Sequence, residues 1–132
     1  MGKKLHSSIL PFWEKALNGH SNVKSWKKLD DREDYIYKIE RHKGPDVIVL
    51  ASDEYQYGLS SYYSRNELIS KGAIIYMARP ESNYSLDVSD AAKEEGVSIG
   101  VLKEVLGALN LDKHWLWDSK DRKERRKREE KN

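Results

Sequence analysis

The sequence has no cysteine, three prolines, one phenylalanine and two methionines. The absence of thiols excludes disulfides and every thiolate metal site. No run approaches 18 consecutive apolar residues, so no transmembrane helix is expected. The first residues, MGKKLHSSILPFW, start like a secretory leader, but Pro11, Glu14 and Lys15 cut the apolar run short. With no export signal, a cytoplasmic location is the expectation. There is no phosphate-binding P-loop, no G-x-G-x-x-G and no G-x-S-x-G, which leaves nucleotide-cofactor chemistry and serine hydrolysis unsupported. The four histidines (His6, His20, His42 and His114) show no metal-ligand spacing.

What the chain does have is charge and tyrosine. Charged residues make up 35% of its 132 residues and hydrophobic ones 38%. That apolar share is low, but it is gathered into tight runs, DVIVLAS and GAIIYMA, which a disordered chain lacks. The length fits one domain, expected over residues 1–119. Residues 120–132, KDRKERRKREEKN, hold eight Lys/Arg against four Asp/Glu and read as a charged tail, helical or disordered. The remainder is nearly neutral.

Periodicity orders the elements. PFWEKALN (11–18) reads as a short helix with Pro11 at its first position and Gly19 at its stop. Residues 20–34 are polar, with Val23, Trp26 and Leu29 at helical spacing, and read as a loop or a poorly formed helix. YIYKIERH (35–42) alternates as a strand, Lys43-Gly44-Pro45 is a turn, and the continuously apolar 46–52 reads as a central strand covered on both faces. The spacing predicts a helix over 57–71 with Leu59, Tyr62, Tyr63 and Ile69 on one face. A buried strand (73–79), a polar loop (81–86), a helix (88–95) capped by Asp87, a short strand (97–100) and a Leu-striped helix (102–110) follow. Trp115 and Trp117 are expected to clamp the chain end onto the domain. The expected fold is α/β: one three-layer domain, with a mixed sheet of about four strands (an antiparallel hairpin plus parallel strands) and helices on both faces.

The second half, with GAIIYMA, a polar loop, DAAKEEG, VSIG and KEVLGALN in order, resembles the C-terminal half of the restriction-endonuclease-like PD-(D/E)XK superfamily, especially its Mrr-type branch. The resemblance covers about residues 72–110. It implies a nucleic-acid-associated domain, and, if active, a Mg²⁺-dependent phosphodiesterase. That family asks for an Asp at the start of one strand and Glu (or Gln)-x-Lys in the next, the acids holding Mg²⁺ and the lysine activating water. Here the tripeptide position falls near Leu50-Ala51-Ser52, and no Glu-x-Lys follows Pro45-Asp46 before residue 57. The implied site is degenerate or rearranged.

The remaining candidates are Asp46, Asp53 and Glu54 as catalytic acids, with Asp46 and Asp53 as the Mg²⁺ ligands. Ligands in open α/β sheets gather at the carboxyl ends of strands, and Asp53 and Glu54 follow one directly. Their plainer alternative is a turn cap and a solvated acid. All eight tyrosines lie between residues 35 and 84, four of them in YQYGLSSYY. Tyr55 and Tyr57 suit base stacking, and Arg65, with Arg79 and Lys71 nearby, suits phosphate; core-margin packing or a protein interface is the alternative. In the tail, Arg122, Arg125 and Arg126 are candidate contacts to a nucleic-acid backbone. The rival to a nucleic-acid partner is a protein-interaction module, dimerising or docking without catalysis. A third reading, a flavodoxin-like nucleotide-binding domain, lacks its glycine-rich loop.

Overall fold

The computed structural model describes residues 9–30, 35–79 and 82–130. Helix α1 (Ile9–Asn18) leads into β1 (Val23–Asp30), β2 (Tyr35–Arg41) and β3 (Val47–Ser52). A two-residue strand β4 (Gln56–Tyr57), helix α2 (Leu59–Tyr63) and strand β5 (Ile74–Met77) follow. Then come β6 (Asn83–Tyr84), α3 (Leu86–Glu94), β7 (Ser98–Gly100), α4 (Leu102–Ala108), a 3₁₀ turn at His114–Leu116, and α5 (Lys120–Glu130). Among the described residues the main sheet has five strands in the order β1-β2-β3-β5-β7, one more than expected. Strands β1, β2 and β3 pair antiparallel, whereas β3, β5 and β7 pair parallel.

The layers follow from side-chain alternation along the central strands. Ile74 and Tyr76 of β5 face α1 and α4, packing with Trp13, Leu17, Val105 and Leu109. Ile75 and Met77 face α2 and α3, packing with Tyr62, Val88 and Ala92. Strands β3 and β5 are apolar at consecutive positions because helices cover both sides of them. Trp13 sits 4.6 Å from Tyr76 and edge-on to Tyr37, filling the middle of one layer.

Three sequence expectations need correction. Residues 23–30 form an edge strand rather than a loop or helix. Register shifts between Val23 and Ser25 and between Lys28 and Asp30 break its two-residue alternation, which is why Val23, Trp26 and Leu29 fell at helical spacing. Lys24, Lys27 and Lys28 on that edge discourage pairing with another chain. The helix expected over 57–71 lasts only from Leu59 to Tyr63. Past it, Ser64 Oγ returns to the Ser60 carbonyl (2.8 Å) and Asn66 Oδ1 accepts from the Leu68 amide (2.9 Å), local bonds that compete with a helical ladder. Tyr62 and Ile69 are buried, but Leu59 and Tyr63 are exposed. Helix α3 also starts earlier than expected, capped by Ser85, whose Oγ accepts from Val88 N, rather than by Asp87.

The charged tail is a helix along its described length, and it is docked. Arg122 is 4% exposed. It donates to the Ile99 and Trp117 carbonyls (both 3.0 Å) and lies 3.8 Å from Glu104 and 3.6 Å from Asp118. His114 is buried too, its Nε2 donating to the Gly72 carbonyl (2.9 Å) while Nδ1 meets Ser98 Oγ (2.5 Å). Burial and Arg41 lower its proton affinity against the raising effect of the Gly72 bond. No described helix is long and apolar enough to cross a membrane.

Candidate nucleic-acid interface

The parallel strands β3, β5 and β7 point their carboxyl ends to one edge of the sheet. Past Ser52 the chain continues beside the end of β5: Ala78 N donates to the Ser52 carbonyl (3.1 Å) and Asn83 N to the Tyr55 carbonyl (2.7 Å). Those bonds lead into the parallel pairing of β4 with β6, Gln56 beside Asn83 and Tyr57 beside Tyr84. Residues far apart in sequence are thereby brought to one ridge.

Arg79 is the hub of that ridge. Its Nε donates to the Asp53 carbonyl (2.5 Å), its Nη1 to the Tyr55 hydroxyl (3.0 Å), and its guanidinium lies 4.4 Å from the Tyr55 ring centroid. Tyr55 is 52% exposed, so its ring presents a face to solvent on a braced support. Asp53 Oδ2 is buried and has no hydrogen-bond partner among the described residues. A buried carboxylate oxygen in that state needs a proton, a cation or a ligand donor. Glu54 is less available: it accepts from Ser61 Oγ (2.6 Å), while its own amide donates to Ser52 Oγ (3.2 Å).

Beyond the small sheet a polar cleft of about 420 Å³ opens, lined by Gln56, Tyr57, Asn83, Tyr84, Ser85 and Arg125 among others. Arg125 reaches back from α5 to the Tyr84 carbonyl (2.8 Å) and over the Tyr84 ring. The edge therefore joins Tyr55, Arg79 and Arg125, which the sequence had suggested separately; Tyr57 stands at the same edge but is 3% exposed and packs into the core, which corrects its expected role in base stacking. Gln56, Asn83 and Tyr84 were not foreseen; they sit in a short polar stretch without periodicity.

Other expected site residues lie elsewhere. Asp46 stands at the opposite end of β3, paired with Lys38 (3.7 Å). Strand β3 separates it from Asp53 by about 20 Å at a strand's rise per residue. The two cannot share a cation, which corrects the expected metal pair. No group of three His, Asp or Glu arranged to hold a metal occurs among the described residues. Asp53 retains the oxygen chemistry of a hard-cation ligand, with Glu54 as its neighbour in the chain. Arg65 caps the end of α2 by bonding the Tyr62 (3.0 Å) and Ile69 (2.7 Å) carbonyls and pairs with Glu95. Arg122 is enclosed, and Arg126 is held by Asp90 (2.7 Å) and Asp118 (2.9 Å). These three arginines are committed to internal bonds away from the ridge; Arg79 and Arg125 are bonded within the chain as well, Arg125 also lying 4.0 Å from Asp121, but they stand at the carboxyl edge.

A second acidic cluster is internal. Glu104 is 8% exposed and accepts from Val101 N (3.0 Å), the Tyr84 hydroxyl (3.0 Å) and the Ser119 hydroxyl, with Arg122 alongside. Burial and the Glu104 charge raise the proton affinity of the Tyr84 phenol. The cluster resembles an acid–base constellation, but both Glu104 carboxylate oxygens accept hydrogen bonds and the cluster anchors α5; the atom it leaves without a hydrogen bond is Arg122 Nε, 3.8 Å from Glu104.

Comparison with known protein families, curated proteins and solved structures gives no match to this chain, so the reading of the site rests on its residues and their geometry.

Proposed function

We propose that this chain is a cytoplasmic, nucleic-acid-associated domain of restriction-endonuclease-like kind with a degenerate metal centre. The observation that carries the reading is the meeting of Tyr55, Arg79 and Arg125 at the carboxyl edge, with Arg79 bonded to Asp53, one of whose carboxylate oxygens is buried without a hydrogen bond among the described residues. An exposed tyrosine braced by arginine offers a stacking platform for an unpaired base, a contact of about 1–3 kcal/mol. Two arginines beside it supply the backbone attraction. Mg²⁺, if taken up, would be held by Asp53 with help from Glu54, and would supply charge neutralisation at a phosphate. Three-acid coordination is not available among the described residues, so binding is expected to outweigh cleavage.

The test is a combined gel-shift and cleavage assay on single- and double-stranded DNA and RNA, with Mg²⁺, Mn²⁺ or chelator. Salt-sensitive binding that weakens in Tyr55→Ala and Arg125→Ala is the expected result. Metal-dependent cleavage lost in Asp53→Asn would identify a rearranged nuclease. Absence of both at low salt overturns the reading. It would put in first place a docking or dimerisation module, which the exposed Leu59, Tyr63 and Leu68 around α2 favour. That rival predicts a concentration-dependent dimer indifferent to metal and nucleic acid.

A further inference from the structure

The short sheet of β4 and β6 repeats one pattern on both strands. Tyr57 and Tyr84 face the core, and Gln56 and Asn83 before them are exposed. Parallel register sets Gln56 beside Asn83, and paired strands lie about 4.8 Å apart. Two side-chain amides therefore stand together, and both line the polar cleft of about 420 Å³. That volume falls in the range of small-molecule sites. The two amides are held differently. Asn83 Oδ1 accepts from the Tyr84 amide (2.8 Å), and the Asn83 backbone N–H donates to the Tyr55 carbonyl (2.7 Å). With its oxygen engaged, the Asn83 side chain offers the cleft an NH₂ donor. The Gln56 side chain has no hydrogen-bond partner among the described residues, so its amide can turn to present either its carbonyl or its NH₂. Other polar groups of the wall are engaged: Ser85 Oγ accepts from Val88 N (3.3 Å), and Arg125 donates to the Tyr84 carbonyl (2.8 Å). No carboxylate of the described residues lines the cleft. A fixed donor beside an adaptable amide matches the N7 edge of a purine. Both purines carry the N7 acceptor, and beside it adenine has the N6 amino donor and guanine the O6 acceptor. Pyrimidines have no N7.

We propose that this cleft reads an unpaired purine of a single-stranded nucleic acid, with Asn83 donating to N7 and Gln56 turning to meet N6 or O6. The assignment rests on the nucleic-acid reading above. It adds a preference for purine over pyrimidine, without choice between adenine and guanine. A base stacked within a duplex does not enter such a cleft unless it is flipped out. Tyr55, directly before Gln56, supplies affinity for whichever base stacks on it, since stacking tolerates any sequence. The choice of base belongs to the amides.

The experiment measures fluorescence anisotropy of the full chain with short labelled thymidine strands that carry one central adenine, guanine, cytosine or 7-deazaadenine, the last being adenine without N7. The adenine and guanine strands should bind about tenfold more tightly than the cytosine strand, the effect of one good base contact, and 7-deazaadenine should fall to the cytosine level. Asn83→Asp keeps an acceptor for the Tyr84 amide and removes the donor, so the purine preference should vanish. Gln56→Glu keeps an acceptor and loses the NH₂, so it should retain adenine and reject guanine by about tenfold. Ratios between strands are compared, so a general loss of affinity from the added charge cancels. Tyr55→Ala should weaken every strand alike and leave the ratios. Should Asn83→Asp melt early, the 7-deazaadenine strand tests the N7 contact on the unaltered chain. Adenosine and guanosine monophosphates, added as competitors, should displace a strand only at far higher concentration, because they bring no neighbouring base to Tyr55. Displacement at equal concentration overturns the strand assignment in favour of a free nucleotide. Equal binding of all four strands, or a purine preference unmoved by 7-deazaadenine and by both amide variants, overturns the base reading and leaves the nucleic-acid reading standing. Binding of no strand at low salt overturns both.

Discussion

Glu104 and Asp53 are both partly or wholly buried acids beside an arginine and a tyrosine, yet they differ in completeness. Glu104 accepts from the Tyr84 and Ser119 hydroxyls and from an amide, with Arg122 at 3.8 Å. Asp53 has its backbone carbonyl bound by Arg79 and one carboxylate oxygen buried without a hydrogen-bond partner among the described residues. The arginine at Asp53 thus braces the chain and Tyr55 instead of neutralising the acid. Each site leaves one buried atom without a hydrogen bond among the described residues, Arg122 Nε in the first and Asp53 Oδ2 in the second, so the difference lies in the acid: Glu104 is bonded within the chain and holds structure together, and Asp53 keeps one oxygen that the chain does not bond.

The comparison can be broken most forcefully at Glu104. Glu104→Ala removes the acceptor for two hydroxyls and leaves Arg122 buried, and should cost about 3–5 kcal/mol in urea denaturation. A truncation ending at Ser119 deletes Arg122 and should fail in the same way, so the role of α5 in binding is better tested by surface charge changes. If Glu104→Ala unfolds no more easily than the parent, the cluster is no staple.

Next in size is the pH response of the clamp at His114. Its proton affinity is lowered in the folded chain, chiefly by burial. The unfolded chain therefore takes up the proton first as pH drops below about 6.5. Stability is full above that value and should decline as pH falls toward the folded-state value. Urea midpoints from pH 8 to 5 should show this decline, and His114→Gln should flatten it.

Asp53→Asn should behave in the opposite sense to Glu104→Ala. With no internal partner lost at Oδ2, stability should stay level or rise by up to about 1 kcal/mol, while any effect of divalent cation on nucleic-acid binding should vanish. A loss above about 2 kcal/mol would mean that the fold itself uses the carboxylate. The smallest effect is at Arg125. Arg125→Ala should leave the melting profile nearly unchanged and reduce the salt dependence of binding by about one unit of slope.

Much of the fold could be read from the chain because it rests on local chemistry. The apolar runs at 47–52 and 74–77 announced covered strands, Lys43-Gly44-Pro45 announced their hairpin partner's turn, and the Leu stripe of 102–108 announced α4. Gly44 takes φ +100°, a conformation suited to glycine, and a Cβ there would meet Arg41 Nη2 at 2.6 Å. Strand β1 was hidden because its bulges erase the alternation that identifies strands. Strands β4 and β6 were hidden because a two-residue strand has no period, and only the long-range pairing of Gln56–Tyr57 with Asn83–Tyr84 creates it.

The site was legible as residue types and not as a place. Tyr55, Arg79 and Arg125 carry suitable chemistry in any arrangement, as did Tyr57 until the fold buried it. Their convergence depends on parallel strands ending at one edge and on α5 folding back. The tail shows the limit most clearly. Eight basic residues in thirteen suggested a solvated arm by composition. Arg122 instead lies under Trp117 beside Glu104, because a guanidinium with acids and carbonyls around it can be buried. Composition and periodicity, which act between near neighbours, determined the class of this protein and the order of its elements. Tertiary structure alone decided which charges pair inside, which acid is left without a partner, and which clefts open, since those depend on contacts between residues tens of positions apart.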